Sequence, residues 1–313
     1  MGTGAVAMSR AISITVVMLV AALASSGAQR PAPSAQGGTT IRNAIGVQML
    51  VSPENTDPTL RIVLPGQSAS DRTFDVLVPE HVTSVRHGSS DGDRLYMWRP
   101  GSQGMRPAWR RVGPSLEYER DLPNDLHLLT RATLEDDGVR IRYELTNRSA
   151  VAYDNVYFPT DPRLTGILHD ERLERTYVHH ANGFDLLASE TPDRLTIPLD
   201  RWLPVRYLAS LTAPIPAERV QHRDDGITYY YKSRAVDQPF IATRSTDGNW
   251  IVASFARDAG NVWSNPELTC QHVDGQVPLA PGKRAVHEVK LLVMRGSLDD
   301  ALRRAIQQRA SLR

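Results

Sequence analysis

What most constrains the fold is a run of short apolar or alternating segments, cut at close intervals by turn chemistry. The clearest case lies at 126–145. An apolar stretch at 126–134 ends in Glu135-Asp136-Asp137-Gly138, and 139–145 (VRIRYEL) then sets Val139, Ile141, Tyr143 and Leu145 against Arg140, Arg142 and Glu144. Side chains alternate faces along a strand, so this is a half-buried strand entered through an Asp-Gly hairpin turn. The same device recurs. Asp224-Asp225-Gly226 precedes 227–231, and Asp247-Gly248-Asn249 joins 240–243 to 250–255. Pro65-Gly66 closes 60–64, Pro79 closes 74–78, and Pro281-Gly282 precedes 285–294. Closely spaced strands predict an all-β fold, an antiparallel β-sandwich. No helical period of 10–15 residues separates the strands, which argues against a parallel α/β sheet. One helix is expected, at about 297–310. Ser297 and Asp300 form a capping box, and Leu298, Ala301, Leu302, Ala305 and Ile306 fall on one stripe.

The N-terminus carries a different signal. Arg10 is the sole charge in residues 1–28, and an apolar run at 11–24 (AISITVVMLVAALA) leads into Ser25-Ser26-Gly27-Ala28. That is the secretory signal-peptide pattern, with Ser26-x-Ala28 fitting a cut after Ala28 and Ala22-x-Ala24 an earlier one. A membrane span needs roughly 20 apolar residues, so no stable insertion is expected after cleavage. Residues 29–40 (QRPAPSAQGGTT) read as a flexible linker. Residues 41–313 are then one β-sandwich domain ending in the helix, and the mature protein is expected to be secreted or periplasmic.

Export and a single cysteine together exclude an intrachain disulfide, so stability must come from the core, and Cys270 is expected to be buried. Removing Arg10 leaves 36 − 1 = 35 basic residues against 35 acidic ones. No block of Lys/Arg exceeds Arg110-Arg111, so a nucleic-acid partner is not expected.

Gly88-Ser89-Ser90-Asp91-Gly92 matches G-x-S-x-G, but a strand-like DRLYMW follows it where a nucleophile elbow needs a helix, so it reads as a hairpin loop. Adjacent His179 and His180 would point to opposite faces of a strand. Cys270 and His272 would share a face, but they are two ligands where catalytic zinc needs three. No metal and no cofactor is therefore expected. Of the paired carboxylates, Asp136-Asp137 and Asp224-Asp225 belong to turns and Asp299-Asp300 to a helix start, leaving Asp170-Glu171 without a local role.

The densest polar stretch is 261–274 (NVWSNPELTCQHVD). Asn261, Asn265, Glu267, His272 and Asp274 can bond hydroxyls, and Trp263 can stack on a sugar face, the usual make-up of a carbohydrate site. His272 and Asp274 would share a face as a proton-handling pair beside a stacking platform, together lining a solvent-reachable cleft. The competing role is a long loop whose Asn and Asp side chains cap its own turns.

Three segments resemble the galactose-mutarotase-like superfamily of aldose epimerases and related sugar-binding domains. VRIRYELTN at 139–147 resembles the strand ending in T-N of the central sheet. NVYF at 155–158, ahead of Leu164-Thr165-Gly166, resembles H-x-Y-F…L-x-G. CQHVDGQVPLAPG at 270–282 resembles the segment where a catalytic Glu precedes L-x-P-G. The resemblance implies a supersandwich fold and a carbohydrate ligand. The family's substrate-binding His falls on Asn155, and its catalytic Glu falls nearest His272, with Glu267 a few residues early, so epimerase activity is not carried over. The candidate set is then His272, Asp274 and Glu267 for chemistry and Trp263, Asn261, Asn265, His179 and Asn155 for binding. Binding and processing of a carbohydrate both stay open, beside a non-catalytic structural or partner-binding domain of the cell envelope.

Overall fold

The computed structural model describes residues 40–313 apart from 53–57, 67–69, 98–106, 192–195, 197, 199–203, 213–219, 223 and 225. The signal segment at 1–28, nearly all of the 29–40 linker, and the centre of the Asp224-Asp225-Gly226 turn lie outside the described residues.

The largest sheet has nine strands. They are, in spatial order, β14 (Gly183–Leu186), β13 (Thr176–His180), β18 (Phe240–Arg244), β19 (Ile251–Ala256), β22 (Arg284–Met294), β10 (Gly138–Asn147), β9 (Leu126–Glu135), β8 (Ser115–Leu122) and β7 (Arg110–Val112). The hairpins at 126–145 and 240–255 form as expected, with Val139 opposite Leu134 and Phe240 opposite Phe255. Gly138 is obligatory at its turn. Its φ is +146°, and a Cβ there would stand 2.0 Å from the Leu291 carbonyl oxygen.

At the centre, β22 is covered on both faces, which is why LLVM at 291–294 is continuously apolar rather than alternating. Leu291 and Val293 enter one core, while Leu292 and Met294 enter another beneath the C-terminal helix α1 (Leu298–Arg309). The helix has the capping box expected of Ser297 and Asp300 and buries Ala301, Leu302 and Ala305. Ile306 departs from the expected stripe and is 52 % exposed, because the contact with the sheet is narrower than the apolar arc.

Three smaller sheets hold the other described strands. One contains β1 (Ile41–Arg42), β2 (Gln48–Val51), β3 (Thr59–Val63), β4 (Thr73–Leu77) and β12 (Asp161–Arg163), and it shares the Leu291 core with the nine-stranded sheet, making the sandwich. A second runs β21 (Gln276–Leu279), β11 (Tyr153–Tyr157), β5 (His81–Arg86), β6 (Gly92–Tyr96). The third runs β16 (Val220–His222), β17 (Thr228–Tyr231), β15 (Val205–Ser210), β20 (Asn261–Ser264), where β15 and β17 pair in parallel. The Gly88–Gly92 motif is the β5–β6 turn, a hairpin as expected. No helix among the described residues is long and apolar enough to cross a membrane.

Candidate functional site

Two pairs of side chains, each two residues apart on extended backbone, meet face to face. Asp161 and Arg163 share a face of β12, Cys270 and His272 share a face of the segment after β20, and an antiparallel bridge joins Arg163 to Cys270. A second bridge joins Trp263 to His272 through paired backbone bonds of 3.2 and 3.0 Å. Directly opposed residues bring their side chains together. The Trp263 indole and the His272 imidazole accordingly stack at 3.7 Å between centroids and 5° between planes.

His272 is enclosed, with 1 % of its surface exposed. Its Nε2 lies 3.4 Å from Asp161 Oδ1 and its Nδ1 lies 3.5 Å from Asp274 Oδ2. Burial works against the imidazolium, the neighbouring Cys270, Asp274 and Asp161 work for it, and the balance holds the His272 pKa well above its ordinary value. Asp161 is kept low: burial opposes ionisation, but His272 and the Arg163 guanidinium, whose Nε donates to Oδ2 at 2.6 Å, outweigh it. Burial pushes the Cys270 thiol up. Asp274 also accepts the Trp263 indole N–H at 3.4 Å, while its Oδ1 has no hydrogen-bond partner.

The sheet of β5, β6 and β11 adds a second tier. His81 on β5 is buried beneath the edges of Tyr96 and Tyr157, whose ring centroids lie 5.5 and 5.4 Å away. Arg94 reaches both tyrosine hydroxyls, at 3.0 and 3.2 Å. Burial and then the Arg94 charge drive the His81 pKa down to about 3, so His81 is neutral and shares a proton-bridged contact of 2.9 Å with Thr83 Oγ1. Asp161, His272 and Asp274 are all within electrostatic reach of His81. Glu80, half-buried beside them, is raised by burial and then by Asp161. His81, Asp161 and His272 are thus buried ionisable groups, while Tyr96, Tyr157 and Trp263 are half-buried and Arg94 is exposed. Behind β5 lies a cavity of about 200 Å³ lined by Val82, Leu95, Leu122 and Leu126, below the usual range for a ligand pocket.

The other residues expected at the site are dispersed. Glu267 is committed to Arg206 at 3.0 and 3.2 Å. Asn265 is buried, accepting from the Leu268 N–H and donating to Cys270 Sγ, the turn-capping role. Asn261 is exposed at the start of β20. His179 is held by Asp237 at 2.7 Å and packs on Phe184, neither of which belongs to the His272 cluster. Asn155 donates to Gln276 Oε1 at 2.8 Å and shares a face of β11 with Tyr157. His272 itself does not reach solvent as expected: it is 1 % exposed, and its imidazole is stacked against Trp263. Asp170 also has a role the sequence hid: it accepts the Glu174 and Arg175 N–H groups and the Thr176 hydroxyl, closing the 170–176 turn.

Sequence reasoning missed Glu80, His81, Arg94, Tyr96, Asp161 and Arg163. A usable signal was the polar pair at i and i+2 on short strands, His81/Thr83 and Asp161/Arg163, where an apolar inward face was due.

No protein-family model matches the chain, and no curated protein matches it. Solved structures do. One is a galactose mutarotase related enzyme from Lactobacillus acidophilus, 12% identical over 84% of this chain and 99% of that one, with a TM-score of 0.48. Another is a putative aldose 1-epimerase from Escherichia coli K12, 11% identical over 83% of this chain and 100% of that one, TM-score 0.45. A third is an α-N-acetylgalactosaminidase from Bifidobacterium bifidum, 12% identical over 86% of this chain but 39% of that one, TM-score 0.48.

Proposed function

We propose that this is an exported carbohydrate-binding protein whose ligand rests on the rim of Tyr96, Tyr157 and Trp263. The observation that carries the reading is the Arg94–Tyr96–Tyr157–His81 group. It sets two half-buried aromatic rings and a guanidinium around the buried His81. Sugars present flat C–H faces and a ring of hydroxyls, which such a mixture of aromatic surface and a few placed polar groups accommodates. Binding is favoured over mutarotation because both nitrogens of His272 face carboxylates and its ring is covered, so it cannot reach a ligand's ring oxygen. Support for export is the charge, apolar run and small-residue exit at 1–28.

A glycan array probed with the mature protein tests the reading. A defined set of oligosaccharides should be retained, and Tyr96→Ala should weaken that binding by roughly tenfold, the order of one aromatic contact. An array without signal, or binding indifferent to Tyr96→Ala, sinks the proposal and leaves the partner-binding envelope domain in its place.

A further inference from the structure

We propose that Asp161, Cys270 and His272 form a binding site for one divalent transition-metal ion, zinc by its donor set. By sequence spacing Cys270 and His272 are two ligands, one short of the three required. The fold supplies it, because the bridge between Arg163 and Cys270 lays β12 alongside the loop and presents Asp161. The ligand atoms of all three residues lie within 4.8 Å of one another, and all three side chains are buried. Thiolate, imidazole and carboxylate together are a zinc donor set.

Three observations point to an ion rather than to a plain ion pair. Asp161 Oδ1 is buried, 3.4 Å from His272 Nε2, and has no hydrogen-bond partner. That separation exceeds a charge-assisted hydrogen bond of about 2.7–2.9 Å. It matches the edge of about 3.3 Å between two ligands on a tetrahedral zinc with bonds of about 2.0 Å. Second, two of the ligands are oriented from behind. Arg163 holds the other Asp161 oxygen at 2.6 Å, and the Asn265 amide donates to Cys270 Sγ at 3.1 Å. Outer contacts of this kind fix a metal ligand's orientation. Third, a donor aimed at the sulfur casts Cys270 as an acceptor, the role a metal-bound thiolate plays and one that the Asp161–His272 pair alone does not require. Glu80, in electrostatic reach of Asp161 and His272, is a further carboxylate at the edge of the group. An ion held by these three residues would tie β12 to the 261–274 loop.

The assignment is tested without any sugar, so its failure is separable from that of the carbohydrate reading. The full secreted protein is stripped with chelator, loaded with zinc, desalted and measured by mass spectrometry of the metal. The expected result is about one zinc retained per chain. Cobalt(II) in its place should give a thiolate-to-metal charge-transfer band that Cys270→Ser abolishes, and Asp161→Asn should lower retention at least tenfold. Retention below about a tenth of an equivalent by the unaltered protein, or a cobalt band that survives Cys270→Ser, overturns the proposal. The unaltered protein alone decides the matter if either variant fails to fold.

Discussion

At the scale of single residues, His81 shows how a buried base shapes stability. Its folded pKa is about 3 against an ordinary 6.5, so below 6.5 the unfolded chain takes up a proton that the folded chain refuses. The contribution is fully present above 6.5 and is lost as pH falls, levelling off near 3. The slope in that window is up to about 1.4 kcal/mol per pH unit. His287, lowered to about 4 by burial, adds in the same direction. His81→Gln should therefore flatten the dependence of unfolding free energy on pH below 6.5 by roughly one proton's worth, read by urea titration at several pH values; an unchanged slope would show that His81 is protonated in the fold. Gly138 gives a second residue-scale outcome. Gly138→Ala drives a Cβ into the Leu291 carbonyl at the tightest point of the β9–β10 hairpin. It should cost about 2–4 kcal/mol, the order of a strained, overpacked position, and thermal unfolding measures it.

Among the elements, the C-terminal helix is secured by two devices of different strength. Its capping box is local and exposed: Ser297 accepts from the Asp300 N–H at 3.1 Å and Asp300 accepts from the Ser297 N–H at 2.9 Å. Its dock is buried. Asp137, from the β9–β10 turn, receives Gln308 at 2.6 Å and Arg304 at 3.2 Å, and it meets the fully buried Lys290 at 2.7 Å. Glu135 is the other partner of Lys290, at 2.5 Å. Ser297→Ala should cost about 1 kcal/mol. Asp137→Ala should cost about 3 kcal/mol, because it leaves a buried ammonium with half its counter-charge. Equal destabilisation by the two, in urea melts monitored by circular dichroism, would mean that the Lys290 network does not hold the helix. The capping box was legible as Ser297-x-x-Asp300. The dock was not, because Asp136-Asp137 is fully accounted for locally as turn chemistry, and its second use needs a helix more than 160 residues away to arrive.

For the whole molecule, the expected outcome of expression is a processed chain beginning near Gln29 in the periplasm or medium, checked by intact mass of the exported material. Material that keeps Met1 would remove export from the proposed function. Strands, hairpins and the terminal helix could be read from sequence because each rests on local periodicity and turn geometry, as at Leu134–Gly138–Val139 and Thr243–Gly248–Val252. The site could be read only in part. Trp263, His272 and Asp274 do come together, since they are a few residues apart on a doubled-back loop. His179 and Glu267 go elsewhere, and Glu80, His81, Arg94, Tyr96, Asp161 and Arg163 arrive from strands up to about 190 residues away in the chain, where no periodicity marks them. What the sequence determined by itself was which residues alternate inward, where the chain reverses and where the helix starts, because those depend on neighbours within a turn or two. What only the tertiary structure decided was which inward faces meet. Strand order is a long-range outcome of burying several apolar faces at once, and that outcome placed Asp161 against Cys270 and His272 and turned Trp263 from an open platform into the cover of a buried imidazole.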